Sequence, residues 1–302
     1  MPKIKNDDRH LYQNIVFCLF CIVYIQYNAY TDDERENIVT DKKIIVHFTV
    51  LTFCIAYLVS GSLIVLGKLG YRVYGWVNTL PQFCMDIPFA IYILSPAIAS
   101  YFVLKKNNKT INLWEWLKTV FYVKNNIYPY FFVVAGLILY FSVHALITGS
   151  VELTLPFYTF FLSLPGNLFI GGLEETGWAY ILQPGLNKKF GYVLSCILSG
   201  IIWIAWHIPL FFIPGTNHEE GLINFGMFAI QCMALRFFFG AICKISGKSY
   251  VFMCVLFHTL FNAAYSVFAT TTASWAGTVV ANTVIVFVSI LTVMIYNKKT
   301  DE

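Results

Sequence analysis

The stretch that decides the fold is GGLEETGWAYILQPGLNKKFGYVLSCILSGIIWIAWHIPLFF, residues 171–212. It consists of two apolar arms separated by a short polar turn that contains Lys188 and Lys189. Each arm belongs to an apolar segment that approaches or exceeds the ~20 residues needed to cross the hydrocarbon core of a bilayer. The stretch therefore predicts two membrane-spanning helices, one descending to the lysine-bearing turn and one rising from it.

The composition of the whole chain agrees with a membrane protein. Of 302 residues, 58% are hydrophobic and only 12% are charged, whereas a soluble domain carries about 25% charged residues. The net charge of +4 is small, and no basic patch interleaved with aromatic residues indicates nucleic acid as a partner. The sequence predicts an all-α membrane protein, a polytopic bundle of about eight or nine transmembrane helices with a buried polar cavity. The apolar segments run approximately from 12–30, 44–67, 83–104, 127–149, 154–184, 191–213, 223–245, 250–271 and 275–296.

Lysine and arginine residues divide the loops between two sides of the membrane. The segment KKNNKTINLWEWLKTVFYVKNN (105–126) holds five lysines, whereas the loops near 150, 214–222 and 270–275 hold neither Lys nor Arg. Short loops rich in these residues stay in the cytoplasm, so this segment is predicted to be cytoplasmic, and alternation places the C-terminus there as well. We expect residues 1–43 to form an amino-terminal tail with a weak first apolar segment, and residues 44–302 to form the bundle within the lipid bilayer.

Five polar residues inside the apolar segments stand out: Glu174, Glu175, His207, His258 and Asn262. Ionisable side chains at the centre of a bilayer cost on the order of 2.5–3.5 kcal/mol each on insertion scales, and those that occur are usually functional. Glu174, His207 and His258 lie 10–18 residues from their flanking lysines. At about 1.5 Å per residue they can reach one layer, which we expect between the midplane and the cytoplasmic side.

These residue types suffice for the attack of water on an amide bond. A glutamate can act as a general base beside a histidine that shares the proton. A second histidine and an asparagine spaced i, i+4 share one helix face and can donate hydrogen bonds to a developing oxyanion. The same Glu and His side chains could also hold a divalent metal such as zinc, and the sequence does not separate the two mechanisms. A proton-coupled transporter is a further alternative, although no internal repeat supports it.

Three ordered motifs carry a resemblance to a known family. They are EETGWA at 174–179, WIAWH at 203–207 and HTLFN at 258–262. In order, spacing and placement within apolar segments they resemble the CAAX protease and bacteriocin-processing family of intramembrane endopeptidases, which includes the type II CAAX prenyl endopeptidase. The resemblance covers about residues 150–270, which we therefore expect to be the protease-like core.

The resemblance implies a role for each motif residue. It implies that Glu174 and His207 activate the attacking water, that His258 and Asn262 stabilise the oxyanion, and that no cofactor or obligatory metal is needed. The substrate would be a peptide or protein, and the depth expected above for the polar residues predicts cleavage near the cytoplasmic side. The flanking sequences are similar to bacterial members, which implies a bacterial cell membrane and a function in leader or bacteriocin-like peptide processing or in self-immunity.

Two positions depart from the family pattern. Trp203 stands where Phe is commonest, and Ala179 stands where the family has an Arg that can pair with the second glutamate, Glu175. A basic residue inside another apolar segment, Arg236, lies eight residues from Lys244, which gives it a matching depth. We predict that Arg236 pairs with Glu175 and that both support the site. Otherwise Glu175 would be protonated or bonded to a hydroxyl, or the chain would be a non-catalytic pseudoprotease or immunity protein.

Overall fold

The computed structural model describes residues 35–74, 79–110, 112–123, 127–149, 153, 155–268 and 274–301. The weak first apolar segment, 12–30, lies outside the described residues, as does most of the tail. The described residues form an all-α bundle without a strand, so the predicted fold class is confirmed. Its helices are α1 (Arg35–Gly67), α2 (Leu80–Ile93), α3 (Ser95–Lys106), α4 (Leu113–Val120), α5 (Ile127–Thr148), α6 (Tyr158–Phe169), α7 (Gln183–His207), α8 (Phe225–Ile245), α9 (Tyr250–Val267) and α10 (Trp275–Asp301).

Six stretches of the described chain are long and apolar enough to cross a membrane, and a seventh is possible because α2 and α3 form one span bent by 57°. The bend follows from sequence, since Pro96 lies in the first turn of α3, which begins directly after the break at Leu94. One of the six, Tyr158–Phe211, is 54 residues long and covers two of the predicted segments. The predicted polytopic architecture therefore holds.

The chain reverses direction within this long stretch, at Gly191. The φ angle of Gly191 is 69°, a left-handed conformation that glycine adopts without a Cβ clash. Ser199 Oγ donates a 2.6 Å hydrogen bond to Gln183 Oε1, although sixteen residues of continuous helix would separate them by about 24 Å. The two arms therefore form a hairpin around Lys188 and Lys189, as the sequence predicts, so this one candidate stretch consists of two antiparallel arms.

The predicted segment 154–184 is not one continuous helix. Helix α6 ends at Phe169, and the chain continues through a 3₁₀ turn at Gly172–Glu174, a single α-helical turn at Glu175–Gly177 and a π-helical turn at Trp178–Leu182. Such irregular turns occur often at functional sites. The break therefore lies at the two glutamates, where the backbone leaves the regular helical path.

Candidate active site

A cavity of about 400 Å³ brings together the four residues predicted to be catalytic. Glu174 comes from the broken segment, His207 from the end of α7, and His258 and Asn262 from one face of α9. The carboxylate and both histidines are almost fully buried, with residue exposures of 3%, 7% and 5% in that order. The structure thus places side chains from three parts of the sequence around one space, of a size typical of ligand pockets.

Glu174 is held by the indole of Trp203. Trp203 Nε1 donates a hydrogen bond of 3.1 Å to Glu174 Oε2, and the carbonyl oxygen of Trp203 lies 2.8 Å from His207 Nδ1. One residue therefore orients both the candidate base and its neighbouring histidine. The Phe common in the family has no N–H at this position, so the Trp adds a donor to the site.

Glu175 lies behind the cavity rather than in it, in contact with two other side chains. Arg236 Nη1 lies 2.9 Å from Glu175 Oε2 and 3.3 Å from Oε1, and His258 Nδ1 lies 3.2 Å from Oε1. Both members of the ion pair are fully buried. The Arg236 guanidinium also lies over the rings of Trp203, at 5.4 Å, and Phe239, at 5.0 Å. The contact between Arg236 and Glu175 expected from the sequence is therefore present.

These contacts determine which ring nitrogens face the cavity as acceptors. A backbone carbonyl can only accept, so Nδ1 of His207 carries the hydrogen and Nε2 offers a lone pair. The Glu175 carboxylate likewise accepts from Nδ1 of His258, so Nε2 of a neutral His258 is also an acceptor. His258 can donate from Nε2 only as an imidazolium, a form that the carboxylate behind it would favour. The neutral donor at this face of α9 is the amide of Asn262.

Two consecutive glycines allow the broken segment to approach α9. A Cβ on Gly171 would lie 2.2 Å from Asn262 Nδ2 and 3.3 Å from His258 Nε2. A Cβ on Gly172 would lie 2.3 Å from the hydroxyl oxygen of Thr259. Heavy atoms cannot approach that closely, so a larger residue at Gly171 would displace the Asn262 amide or push the segment away from α9.

Several polar residues of the cavity were not predicted from the sequence. Trp203 was identified only as a mild departure from the family pattern, although it contacts both Glu174 and His207. His218 was not identified at all, because it lies in the loop 212–224 rather than in an apolar segment. Its imidazole lines the cavity and packs edge-on against Phe211 and Phe228, with ring centroids 4.9 and 5.1 Å away.

The position of His218 changes its acid–base behaviour. The residue lies outside the membrane-spanning segments, and burial lowers the pKa of His218 to about 4. A buried imidazole loses hydration that stabilises the cation, so it is neutral at physiological pH. In the sequence, His218 belongs to the polar stretch NHEE, 217–220, which follows the end of an apolar segment. This position is the signal by which it could have been found.

Metal ligation was the alternative that the sequence left open. Within the described ranges, no group of three or more His, Cys, Asp or Glu side chains is arranged to hold a metal ion. His258 Nδ1 and the Glu175 carboxylate instead contact each other, and Nδ1 of His207 contacts a backbone carbonyl. One ring nitrogen of each histidine, Nδ1, is thus used within the protein.

Comparison with known proteins gives the same family as the motifs. Residues 156–264 match the family model for the type II CAAX prenyl endopeptidase, Rce1-like. The predicted family resemblance is confirmed. The curated CAAX prenyl protease 2 of Methanococcus maripaludis is 26% identical over 136 residues, which are 44% of this chain and 48% of that protein. The chain therefore spans about half the length of the curated relative that it matches.

The Rce1-like region, residues 156–264, contains all four candidate catalytic residues. It begins shortly before α6 and ends two residues after Asn262, so it includes the broken segment, the hairpin and the histidine-bearing face of α9. Arg236 lies within it as well. The protease-like core expected at about 150–270 stays a prediction, as do the catalytic roles of its residues.

Proposed function

We propose that this protein is an intramembrane endopeptidase that hydrolyses a peptide bond of a peptide or protein substrate. The observation that supports this most strongly is the convergence of Glu174, His207, His258 and Asn262 on one cavity. Similarity of the Rce1-like region to the type II CAAX prenyl endopeptidase family supports the same reaction. The chemistry below uses only groups that the site contains.

Glu174 is the proposed general base and His207 its partner. A water between the carboxylate and His207 Nε2 would lose a proton to Glu174 as its oxygen attacks the carbonyl carbon of the substrate. The hydrogen bond from Trp203 to the other carboxylate oxygen fixes the orientation of the base. Glu174 would then pass the proton to the leaving amine, which restores the carboxylate for the next turnover.

Asn262 and His258 are the proposed oxyanion donors. The Asn262 amide can donate without any change of protonation, whereas His258 must first be protonated. The Glu175 carboxylate in contact with Nδ1 stabilises that imidazolium, in the manner in which a buried carboxylate supports a catalytic histidine. Donors arranged before the reaction stabilise developing charge effectively where water is excluded.

The biological setting is proposed from the family resemblance. The sequence flanking the motifs is similar to bacterial members, which supports processing of a leader or bacteriocin-like peptide, or self-immunity against one. Prenylated proteins are the substrates of the family's eukaryotic members. No feature of the described cavity is specific for a prenyl group. We therefore propose an unprenylated peptide as the substrate.

A non-catalytic pseudoprotease is the alternative, and Ala179 is the observation that favours it. Arg236 supplies a positive charge to Glu175 from α8. The absence of an arginine at position 179 therefore gives weaker support to the alternative. A direct test is digestion of a peptide library by the purified protein, with Glu174→Gln and His207→Ala as variants and with a chelator in a parallel reaction. Cleavage that both variants abolish supports the proposal, whereas cleavage that survives in them, or none with any peptide, contradicts it. Sensitivity to the chelator would show that the reaction needs a metal.

A further inference from the structure

The described chain has two faces that differ in charge. Alternation of the passes places eleven lysines on one face, here called the lysine face. The opposite face, here called the loop face, contains the segments 68–74 and 212–224 and has only Lys68 and Arg72. The residues of the lysine face are Lys42, Lys43, Lys105, Lys106, Lys109, Lys118, Lys188, Lys189, Lys244, Lys248 and Lys298.

Contacts between the two segments of the loop face show that they lie together. Val73 N donates a 2.8 Å hydrogen bond to the carbonyl oxygen of Pro214. Arg72 and Glu220 form an exposed ion pair with an N–O distance of 2.9 Å. The positively charged residue here is thus balanced by an acidic neighbour, which increases the contrast with the lysine face.

The cavity lies toward the loop face in every helix that lines it. On α7, the cavity residue His207 lies sixteen residues beyond Gly191, which is about 24 Å at 1.5 Å per residue. The hydrocarbon core is about 30 Å thick, so His207 lies most of the way across it from the lysine face. On α8 the lining residues lie between Phe228 and Leu235, in the half of the helix away from Lys244. On α9 they begin at His258 and continue to Ser266 near the end of the helix.

The rim of the cavity is made by the loop face itself. Val73 and Tyr74 border it from one segment, and residues 215–218 border it from the other. Asn217 is exposed to solvent, whereas His218 is partly covered. Because the lysine face is the side that stays in the cytoplasm, the rim lies on the opposite side of the membrane.

We infer that the site is entered from the non-cytoplasmic side and that its substrate is an uncharged, extended peptide segment presented there. This inference deepens the proposed function and, for the substrate, rests on it. It replaces the expectation of cleavage near the cytoplasmic side, which rested on residue counts from the lysines. Counts of up to 18 residues correspond to about 27 Å, which is already most of the way across the core.

The chemical class of the substrate follows from the lining. Among the described residues that line the cavity, Glu174 is the single Asp, Glu, Lys or Arg. A negatively charged substrate side chain would therefore lose its hydration without meeting a lysine or arginine. A positively charged one would pair with the carboxylate that the proposed reaction needs as its base. Asn167, Gln231 and Asn217 offer amide groups to a peptide backbone, while aromatic and aliphatic side chains make up much of the remaining wall.

The orientation can be tested without any activity measurement. Asn217→Cys places a thiol on the exposed rim, and Thr119→Cys places one on the exposed face of α4 beside Lys118. Intact cells expressing each full-length variant would be treated with a membrane-impermeant maleimide, and labelling compared with permeabilised cells. The native chain is the background control, because it keeps cysteines such as Cys54 and Cys84 on its lipid-facing surface.

We expect Asn217→Cys to be labelled in intact cells and Thr119→Cys only after permeabilisation. Leu222→Cys, also exposed in the same loop, provides a second rim position should the first variant fold poorly. Labelling of Thr119→Cys in intact cells, with both rim positions protected, would overturn the inference.

Sealed vesicles then test the substrate separately. An uncharged peptide cleaved by this protein in the library should be cut when added to right-side-out vesicles and spared by inside-out ones. Cutting by inside-out vesicles alone would overturn the inference about access. Absence of cleavage in both orientations and in detergent would reject the proposed function while leaving the labelling result to decide the orientation.

Discussion

Replacing Arg236 by methionine keeps the aliphatic bulk of the side chain but removes the guanidinium from a fully buried site. Glu175 would then keep only His258 as a contact for its carboxylate among the interactions described for it. A buried charge that has lost its partner is poorly hydrated and poorly compensated, so the folded state should be less stable.

The size of the effect follows from the contacts. Breaking a buried ion pair by removing one partner costs about 3–5 kcal/mol. Arg236 contacts the carboxylate through Nη1 alone, and its Nε and Nη2 atoms have no hydrogen-bond partner within the described part of the chain. We therefore expect a loss near the lower end, about 3 kcal/mol. The double variant Glu175→Gln, Arg236→Met removes both charges and should recover most of that loss.

The chain contains a matched control for this measurement. Arg72 and Glu220 have the same 2.9 Å N–O distance, but their side chains are 59% and 42% exposed. Arg72→Met should therefore cost less than about 1 kcal/mol. Equilibrium unfolding of purified variants in mixed micelles with an increasing fraction of denaturing detergent would give the free energy of each.

The swap variant Arg236→Ala, Ala179→Arg tests whether position matters beyond charge. It returns the arginine to the fourth place after Glu175, and it should be more stable than Arg236→Ala alone. A cost for Arg236→Met no larger than that of Arg72→Met, together with no recovery in the double variant, would refute the reasoning that the buried pair stabilises the fold.

Three further predictions concern the site. Trp203→Phe keeps the ring but loses the donor to the cavity carboxylate. A hydrogen bond to a charged group contributes about 1.5–3 kcal/mol to stability, so the free energy of unfolding should fall by about that amount, and kcat for a cleaved peptide should fall because the base loses its fixed orientation. Gly171→Ala would bring a Cβ to 2.2 Å from the Asn262 amide nitrogen, whereas Gly166→Ala meets nothing within 4 Å; the first should reduce cleavage strongly and the second hardly at all. Because the pKa of His218 is about 4 in the folded protein against 6.5 for the free side chain, the opened loop binds more protons between those values, and the loop should lose protection as the pH falls through that window. Hydrogen exchange of the loop 212–224 in the native chain and in His218→Gln measures this, and an equal pH dependence in both would contradict it.

Much of the site could be predicted because placing a polar side chain inside the membrane costs free energy. Glu174, His207, His258 and Asn262 stand out in apolar segments, and a requirement for shared depth already favours their meeting. The same logic found Arg236, since a cation at matching depth is the natural partner for an unpaired carboxylate. These predictions needed only residue types and distances along helices.

The missed features depend on irregular backbone, which periodicity does not show. The break after Phe169 follows from a run of glycines that approach α9, and a hydropathy pattern reports this run only as apolar. The contact between His258 and Glu175 depends on the direction in which each side chain projects from its helical turn, which the sequence pattern does not give. His218 was missed because a loop residue enters the cavity only once the loop folds over it.

The partner of Glu175 is an arginine at position 236, while position 179 holds an alanine. This arrangement has a consequence for finding proteins of this kind. A search pattern that demands Arg in the fourth place after the second glutamate would reject this chain, although a guanidinium lies 2.9 Å from the same carboxylate. The guanidinium of Arg236, 57 residues from position 179 in sequence, supplies beside Glu175 the positive charge that the family pattern places at position 179. Membership in such a group is better decided by asking which charge fills the space beside the carboxylate than by asking which letter follows it.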